Sequence, residues 1–464
     1  MGGHTRRERK SAGKMGSPPF AALLNITSLT DRMMTSYKHR AFGPIAILIC
    51  FFLALLAVPA TKGTLNSVPE PGVSDGIEYD SLAWQLAQGH GFAFDFDDPS
   101  FKKPYEEVGA PHGSGRGETT YRPPMLPAVM ALFYKAFGRT FAPIRIFNCL
   151  VVAMAAMSTF VMVRKRLGLT AAIATTAFLA IDGRTWFFSN KILTEALACF
   201  TTVLIVWSLL KFQEEWTNKW AVAVGISLAL GFFTRSILIF WFPILAVIIP
   251  YLHQEKFSLT PVKQGVKSAL VFVVTFMVLT TPWFIRNCVV MGKFAPLGTM
   301  GAMSMAAAYS DKALAEKGRW YDLAATGFFP VAPSDRYDTL TKEKRNAAYS
   351  QSAALHWIKA NPTKLPALAL YKVWDLWLPD TPRQTLLFTF FLLGCFLYPV
   401  KKHLVIFGAI LVANTLGVAV TWSVGNRFLF PVLPVIAILA AGGLCEVYRI
   451  YQSYREQPVD SRFE

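Results

Sequence analysis

An all-α protein that crosses the membrane about ten times is the fold class the sequence predicts, and three observations predict it. Hydrophobic residues make up 53% of the 464-residue chain and charged residues only 16%, with a mean hydropathy of +0.38, outside the range of ordinary soluble domains. Apolar runs close to the roughly 20 residues that a helix needs to cross a bilayer core recur along most of the chain. Lysine and arginine crowd the short connections between these runs, where the positive-inside rule expects them on cytoplasmic turns. The net charge of +17, from 46 basic and 29 acidic residues, is therefore read as topology. That reading argues against both a water-soluble enzyme and a nucleic-acid partner.

Residues 1–41 read as a basic cytoplasmic tail, whose apolar stretch from Phe20 to Leu24 is too short to span anything. Arg6 and Arg7 weakly match a twin-arginine signal, but the following span is long enough to stay as an anchor and has no clear small-residue cleavage site. The sequon Asn25-Ile26-Thr27 falls on the wrong side of the membrane for glycosylation. Phe42 to Thr61 supplies the first span without a charge. Further spans are expected at Ala142 to Val163, Leu169 to Phe188, Leu193 to Lys211, Lys219 to Phe233, Ile237 to Leu252 and Lys267 to Ile285. Three more follow at Gln384 to Val400, His403 to Trp422 and Phe428 to Tyr448. Ten spans with the tail inside leave Arg164 to Arg166, Lys211, Lys219, Lys256 to Lys267, Lys401, Lys402 and Arg449 all cytoplasmic, together with a short tail at 449–464.

Two long outer segments result, 62–141 within the first membrane block (42–285), and 286–383 before the C-terminal block (384–448). Loops of this length usually carry function. The first, from Lys62 to Pro124, holds ten acidic residues against five basic ones, the reverse of the tail. Tyr79 to Ala87 reads there as a short helix with Leu82, Ala83 and Leu86 on one face, and Pro123 to Phe137 as a second helix started by proline; both are expected along the membrane surface. In the second segment, Lys342 to Lys359 reads as an amphipathic helix broken at Asn361-Pro362, with another helix running on to Trp377. Trp357, Tyr371, Trp374 and Trp377 are expected at headgroup level. Five of the six cysteines lie in apolar runs, so no disulfide or zinc framework is expected. Asp95-Phe96-Asp97-Asp98 reads as an acidic turn and not a nucleotide-sugar site. Gly113, Gly115 and Gly117 read as a flexible hinge without the lysine and helix of a phosphate loop. The histidines, His90 and His112 included, show no metal-ligand spacing.

The most informative stretch is Asp75-Gly76-Ile77-Glu78-Tyr79, just after the first span, followed by Gly89-His90-Gly91. Tyr121-Arg122-Pro123-Pro124 comes next, then Phe137-Gly138, Arg145 and Thr194-Glu195. Pro282-Trp283-Phe284-Ile285-Arg286-Asn287 and Asn426-Arg427-Phe428 complete the series. In order and in placement on one side of the membrane, these motifs resemble the polyprenyl-phosphate-sugar-dependent glycosyltransferases of the protein-mannosyltransferase and aminoarabinose-transferase superfamily, which have the GT-C fold (glycosyltransferase family 39-like). The resemblance runs from about Asp75 to Gly443. It departs at Gly76, where the family often has a second acid; here the nearest is Glu78.

The resemblance implies a base at Asp75, with Glu78 as the competing acid, and a second acid at Glu195 that orients the acceptor or shares a divalent cation with Asp75. Chemistry gives a separate reason for such an acid, because a lipid phosphate leaves as a stable anion and the main help needed is proton removal from the acceptor. Without the resemblance, Asp75 would read as one solvated acid among ten and Glu195 equally as a helix cap. Arg122, Arg286 and Arg427 stand at outer ends of apolar runs, with Arg235 a fourth candidate; guanidinium forks suit phosphate, although any one alone also reads as a snorkelling anchor. Tyr79 is expected to position the substrate.

The expected function is sugar transfer in the cell (inner) membrane from a polyprenyl-phosphate carrier to a protein, lipid or glycan acceptor on the extracytoplasmic face, with inversion. No organic cofactor is implied, and a divalent cation stays open. The rival is a transporter or flippase of lipid-linked sugars, which would need similar arginines but no base, and which would be expected to place charges near the midplane and to be built from repeats. A polymerising or ligating enzyme acting on a pyrophosphate-linked oligosaccharide is a third alternative.

Overall fold

The computed structural model describes residues 37–69, 74–252, 263–332 and 338–456. The basic tail with Arg6, Arg7 and the sequon at Asn25 lies outside the described residues, as do much of the basic connection from Lys256 and the last eight residues. Residues 37–46 open the first helix, α1 (Tyr37–Thr61), and the chain from Ile47 onward forms one compact unit.

Helices follow the apolar runs in order. The first outer segment holds α2 (Ser74–Gln88), α3 (Pro99–Glu106) and α4 (Met125–Phe137), with an antiparallel pair of strands, β1 (Ala93–Asp95) and β2 (Arg116–Glu118), registering Phe94 against Gly117. Then come α5 (Ala142–Leu167), α6 (Leu169–Ile181), α7 (Gly183–Ser189), α8 (Glu195–Glu215) and α9 (Asn218–Thr234). A broken crossing of 3-10 turns around α10 (Trp241–Ile248) leads to α11 (Lys263–Met291). After the second outer segment, with α12 (Thr339–Ala360) and α13 (Leu365–Trp377), the chain ends in α14 (Pro382–Leu397), α15 (Lys401–Val420) and α16 (Leu433–Glu456).

Among the described residues, six helices are long and apolar enough to cross a membrane, and four more of the ten expected spans correspond to apolar helices of 17 residues or fewer. The chain is an all-α polytopic membrane protein. Within it α8 is central, with 78% of its apolar stretch covered by neighbours, whereas only 22% of that of α11 is covered. Helices α14 and α16 approach backbone to backbone because both carry glycine at the crossing: a Cβ on Gly394 would lie 1.9 Å from the Leu439 carbonyl oxygen.

Hydrogen bonds tie the helix ends into two sets. At one end Gln213 Nε2 donates to the carbonyls of Leu252 (3.0 Å) and Lys402 (3.1 Å), and Arg166 pairs with Glu214 at 2.6 Å. At the other end Arg145, in the first turn of α5, donates to the carbonyls of Leu65, Ser67 and Asn190. The first set contains the basic connections and the second contains the two long outer segments.

Several expectations are corrected. Helix α2 starts five residues before Tyr79, so Asp75 sits in its first turn and not in a loop. The third span is broken at Asp182, whose carboxylate caps α7 by accepting from Arg184 N. The glycine hinge is interrupted by strand β2, which the alternation of small and polar residues conceals. The acidic turn holds: Asp95 Oδ1 accepts from the amides of Asp97 and Asp98, and Asp98 caps α3. Only Tyr371 and Trp374 of the four expected interfacial aromatics are exposed. Trp357 is buried and donates to Asp311, and Trp377 packs on Phe388 and Phe391, because tertiary neighbours cover the helix faces that carry them. All six cysteines are free thiols.

Candidate active site

The site grows from the first turn of α2. This helix is fixed by Asp80, which is fully buried and accepts from Tyr105 (2.7 Å), Tyr134 (2.7 Å) and the Arg139 guanidinium (2.6 Å). Five and two residues earlier stand Asp75 and Glu78, and both meet Arg122, which follows β2. Arg122 Nη2 lies 2.5 Å from Asp75 Oδ1, and its Nε donates to Glu78. The guanidinium is held between the rings of Tyr121 (4.8 Å) and Tyr79 (5.5 Å), an arrangement that adds cation–π attraction to the ion pairs.

A second half of the site comes from the other end of the sequence. Arg427, in the turn between α15 and α16, donates Nη2 to Asp75 Oδ2 at 2.9 Å and Nε to Glu195 Oε1 at 2.5 Å. Glu195 opens α8, is completely buried, and also accepts from Arg235 at 2.5 Å. The result is an alternating chain Glu78, Arg122, Asp75, Arg427, Glu195, Arg235, in which three carboxylates face three guanidinium groups. Among the described residues, Nη1 of Arg122, Nη1 of Arg427 and two nitrogens of Arg235 have no hydrogen-bond partner, so each cation retains donors for an incoming anion.

Electrostatics follows from this sharing. Burial alone would raise the Asp75 carboxyl, but Arg122 and Arg427 together hold it well below the usual carboxylate range. Burial pushes Glu78 up to about 7, with Arg122 opposing and the charge of Asp75 adding to the rise. The Tyr79 hydroxyl, raised by burial to about 12, stays protonated as a donor. Burial works against the charge on Arg427, but Glu195 and Asp75 raise its pKa above the usual value.

Asp75, Tyr79, Arg122, Arg235 and Arg427 line the floor of a cavity of about 850 Å³ including its open mouth, with Ile237, Ile239, Phe240, Leu297, Met300 and Trp422 on its apolar walls; Glu78 and Glu195 lie behind them. Seven of the eight residues singled out from the sequence therefore meet at one place. Arg286 does not. Its guanidinium donates to the carbonyls of Thr119 (2.6 Å) and Phe92 (3.1 Å) and lies over the rings of Phe92 and Trp283, so it braces the segment leading to Arg122. Position at a helix end fixes depth but not the direction in which a long side chain points. Sequence reasoning also missed Glu343, buried on α12, which accepts from Thr119 Oγ1 (2.6 Å), Thr120 N (3.0 Å), Thr120 Oγ1 (2.6 Å) and Thr299 Oγ1. A lone acid on an amphipathic helix gives no local signal of such a role. Gly298 is part of the same joint, in the left-handed region (φ +71°), where a Cβ would come within 2.1 Å of the Thr120 carbonyl oxygen. Among the described residues no group of three or more His, Cys, Asp or Glu forms a cation site; between Asp75 and Glu195 stands the Arg427 guanidinium.

Residues 121–286 match the family model of dolichyl-phosphate-mannose-protein mannosyltransferase, a stretch that includes Arg122, Glu195 and Arg235. No curated protein sequence matches the chain. Among solved structures, ArnT from Cupriavidus metallidurans, bound to undecaprenyl phosphate, aligns with 90% of this chain at 13% identity and a TM-score of 0.50. The oligosaccharyltransferase of Archaeoglobus fulgidus, tethered with an acceptor peptide, aligns with 90% of it at 12% identity and a TM-score of 0.51. The chain spans 63% of the first protein and 51% of the second. It has the fold of these proteins, the GT-C fold, and is an integral membrane protein.

Proposed function

We propose that this protein transfers a sugar from a polyprenyl-phosphate carrier to an acceptor hydroxyl on the extracytoplasmic side, with inversion at the anomeric carbon. The observation that carries the reading is that Asp75, Arg122, Arg235 and Arg427 face an apolar cavity together, with Glu195 pairing Arg427 and Arg235 from behind. Apolar walls suit a polyprenyl chain and the free guanidinium nitrogens suit its phosphate. ArnT, which shares the fold, binds undecaprenyl phosphate. The opposite end of the bundle carries the basic connections, which supports an extracytoplasmic site.

In the step proposed, the acceptor oxygen bonds to the anomeric carbon, the bond from that carbon to the phosphate oxygen breaks, and the acceptor proton passes to Asp75. The leaving polyprenyl phosphate gains a negative charge, so the arginines hold it more tightly at the transition state than in the donor. Asp75 is a feeble base while two guanidinium groups hold it. A donor phosphate drawing on Arg122 and Arg427 relieves that hold, so base strength rises when donor is present. Glu195, completely buried behind the cavity, is paired with both Arg427 and Arg235 and so fixes the two guanidinium groups that face the donor. Arg235 and Tyr79 complete the grip on donor.

The test is reconstitution with a panel of labelled carrier sugars, following release of free polyprenyl phosphate. Asp75→Asn should lower transfer roughly a hundredfold or more while leaving carrier binding measurable. Translocation of the carrier by a protein that transfers no sugar, unaffected by Asp75→Asn, would favour the flippase instead.

A further inference from the structure

Arg427 lines two cavities. Besides the apolar one, it borders a second, open cavity of about 1050 Å³ between the α7 turn, the start of α14 and the segments around Trp320 and Asn426. The first is aliphatic and aromatic above a charged floor; the second has apolar walls too, in Phe187, Phe188 and Val424, but adds Trp320, 37% exposed, beside the polar side chains of Asp380, Gln384 and Asn426.

Two of those side chains are buried yet incompletely bonded. Gln384, 5% exposed, accepts through Oε1 from Asp380 N (2.8 Å) and Asn426 Nδ2 (2.9 Å). Asn426, 7% exposed, also donates Nδ2 to Asp380. These bonds fix both amides in one orientation and leave Gln384 Nε2 as a donor and Asn426 Oδ1 as an acceptor, neither with a partner among the described residues. An adjacent free donor and acceptor match a hydroxyl group, which both gives and takes a hydrogen bond. The cations around it are paired with acids: Arg184 is held bidentately by Asp182 and donates to the Asn426 carbonyl, Arg319 is paired with Asp375 at 2.6 Å, and Arg427, at the border with the first cavity, is paired with Asp75 and Glu195. The second cavity is therefore suited to a neutral polyol and the first to an anion.

We infer that the second cavity is the acceptor subsite and that it takes a carbohydrate, one sugar ring lying on Trp320 with a hydroxyl bridging Gln384 Nε2 and Asn426 Oδ1. The inference rests on the transfer reading above and deepens it. A glycan held there offers another hydroxyl past Arg427 to the anomeric carbon of the donor. Its oxygen forms the new glycosidic bond, its proton goes to Asp75, and the carrier leaves as the phosphate.

Saturation-transfer NMR on the full chain in nanodiscs, free of glycosidic detergent, tests this with methyl glycosides as probes and a Ser/Thr-containing peptide as the contrast. Methyl glycosides should give signals with the wild type that Trp320→Ala abolishes and Gln384→Leu weakens about tenfold, while Trp320→Phe, which keeps a ring, preserves them. Retention of undecaprenyl phosphate at the wild-type level certifies the fold of each variant. Signals from the peptide alone, no glycoside signal from the wild type, or glycoside signals indifferent to Trp320→Ala would overturn the assignment. Because the readout is binding, a protein that binds glycosides at Trp320 but moves no sugar from any carrier would uphold the subsite and defeat the transferase reading.

Discussion

Asp75 accepts from two guanidinium groups that a donor phosphate would also need, so substrate and base compete for the same cations. Arg427 is the hinge of that competition. Arg427→Ala takes one of two cationic partners from each of two carboxylates, one of them completely buried, at a cost of about 1.5–3 kcal/mol, and should lower the thermal midpoint as well as carrier affinity. Arg427→Lys keeps the charge but loses the fork; it should fold, with carrier affinity down roughly tenfold in a binding isotherm. Glu78 adds a pH dependence. Its carboxyl, raised by burial to about 7, is protonated below that pH and leaves Arg122 to the phosphate. Above it, the ionised group reclaims Arg122 and adds a repelling charge. Affinity for a non-titrating phosphodiester analogue should therefore fall as pH rises through about 7, and Glu78→Gln should flatten the profile. The same carboxyl holds a proton in the folded protein that the unfolded chain has already released between 4.5 and about 7, so its contribution to stability falls as pH rises through that window.

Two buried carboxylates outside the cluster decide how the elements carrying it are held. Asp80 anchors α2 to α3 and α4 through Tyr105, Tyr134 and Arg139. Asp80→Asn removes the charge opposite a nearly buried arginine and should cost about 3–5 kcal/mol, read as a lowered unfolding midpoint with a parallel loss of activity. Glu343 joins the second outer segment to the first by gathering Thr119, Thr120 and Thr299. Glu343→Ala takes the shared acceptor from the Thr119 hydroxyl and the Thr120 amide and leaves the Thr120 and Thr299 hydroxyls only each other, at 3.3 Å. It should weaken carrier binding through displacement of Arg122, whereas Thr299→Val, which removes one donor of the four, should do so far less. A binding isotherm for undecaprenyl phosphate separates the two.

At the scale of the whole molecule the prediction is sidedness. In a cysteine-free background, Lys103→Cys in the first outer segment should react with a membrane-impermeant maleimide in intact cells, and Lys165→Cys at the basic end only after permeabilisation. The reverse pattern would place the site in the cytoplasm and exclude a lipid-linked donor presented from outside.

The apolar helices were legible in the sequence because lipid imposes one rule on every segment that crosses it: a helix must be apolar for long enough to hide its backbone; six of the ten runs form helices of that length among the described residues. Short spans were legible in position but not in form, so the break at Asp182 and the 3-10 turns around α10 came only with the structure. Asp75, Glu78, Tyr79, Arg122, Glu195, Arg235 and Arg427, which the structure brings together, were singled out mainly through the resemblance carried by the order of the motifs around them. Their pairing was not, since Asp75 and Arg427 lie more than three hundred residues apart and nothing local states which carboxylate faces which cation. Arg286 was expected on phosphate and instead donates to the carbonyls of Thr119 and Phe92, and Glu343 left no trace. Composition and period, set by the solvent around each segment, fixed the elements and their depth; the direction of each buried side chain was decided only when packing determined which partner could neutralise it.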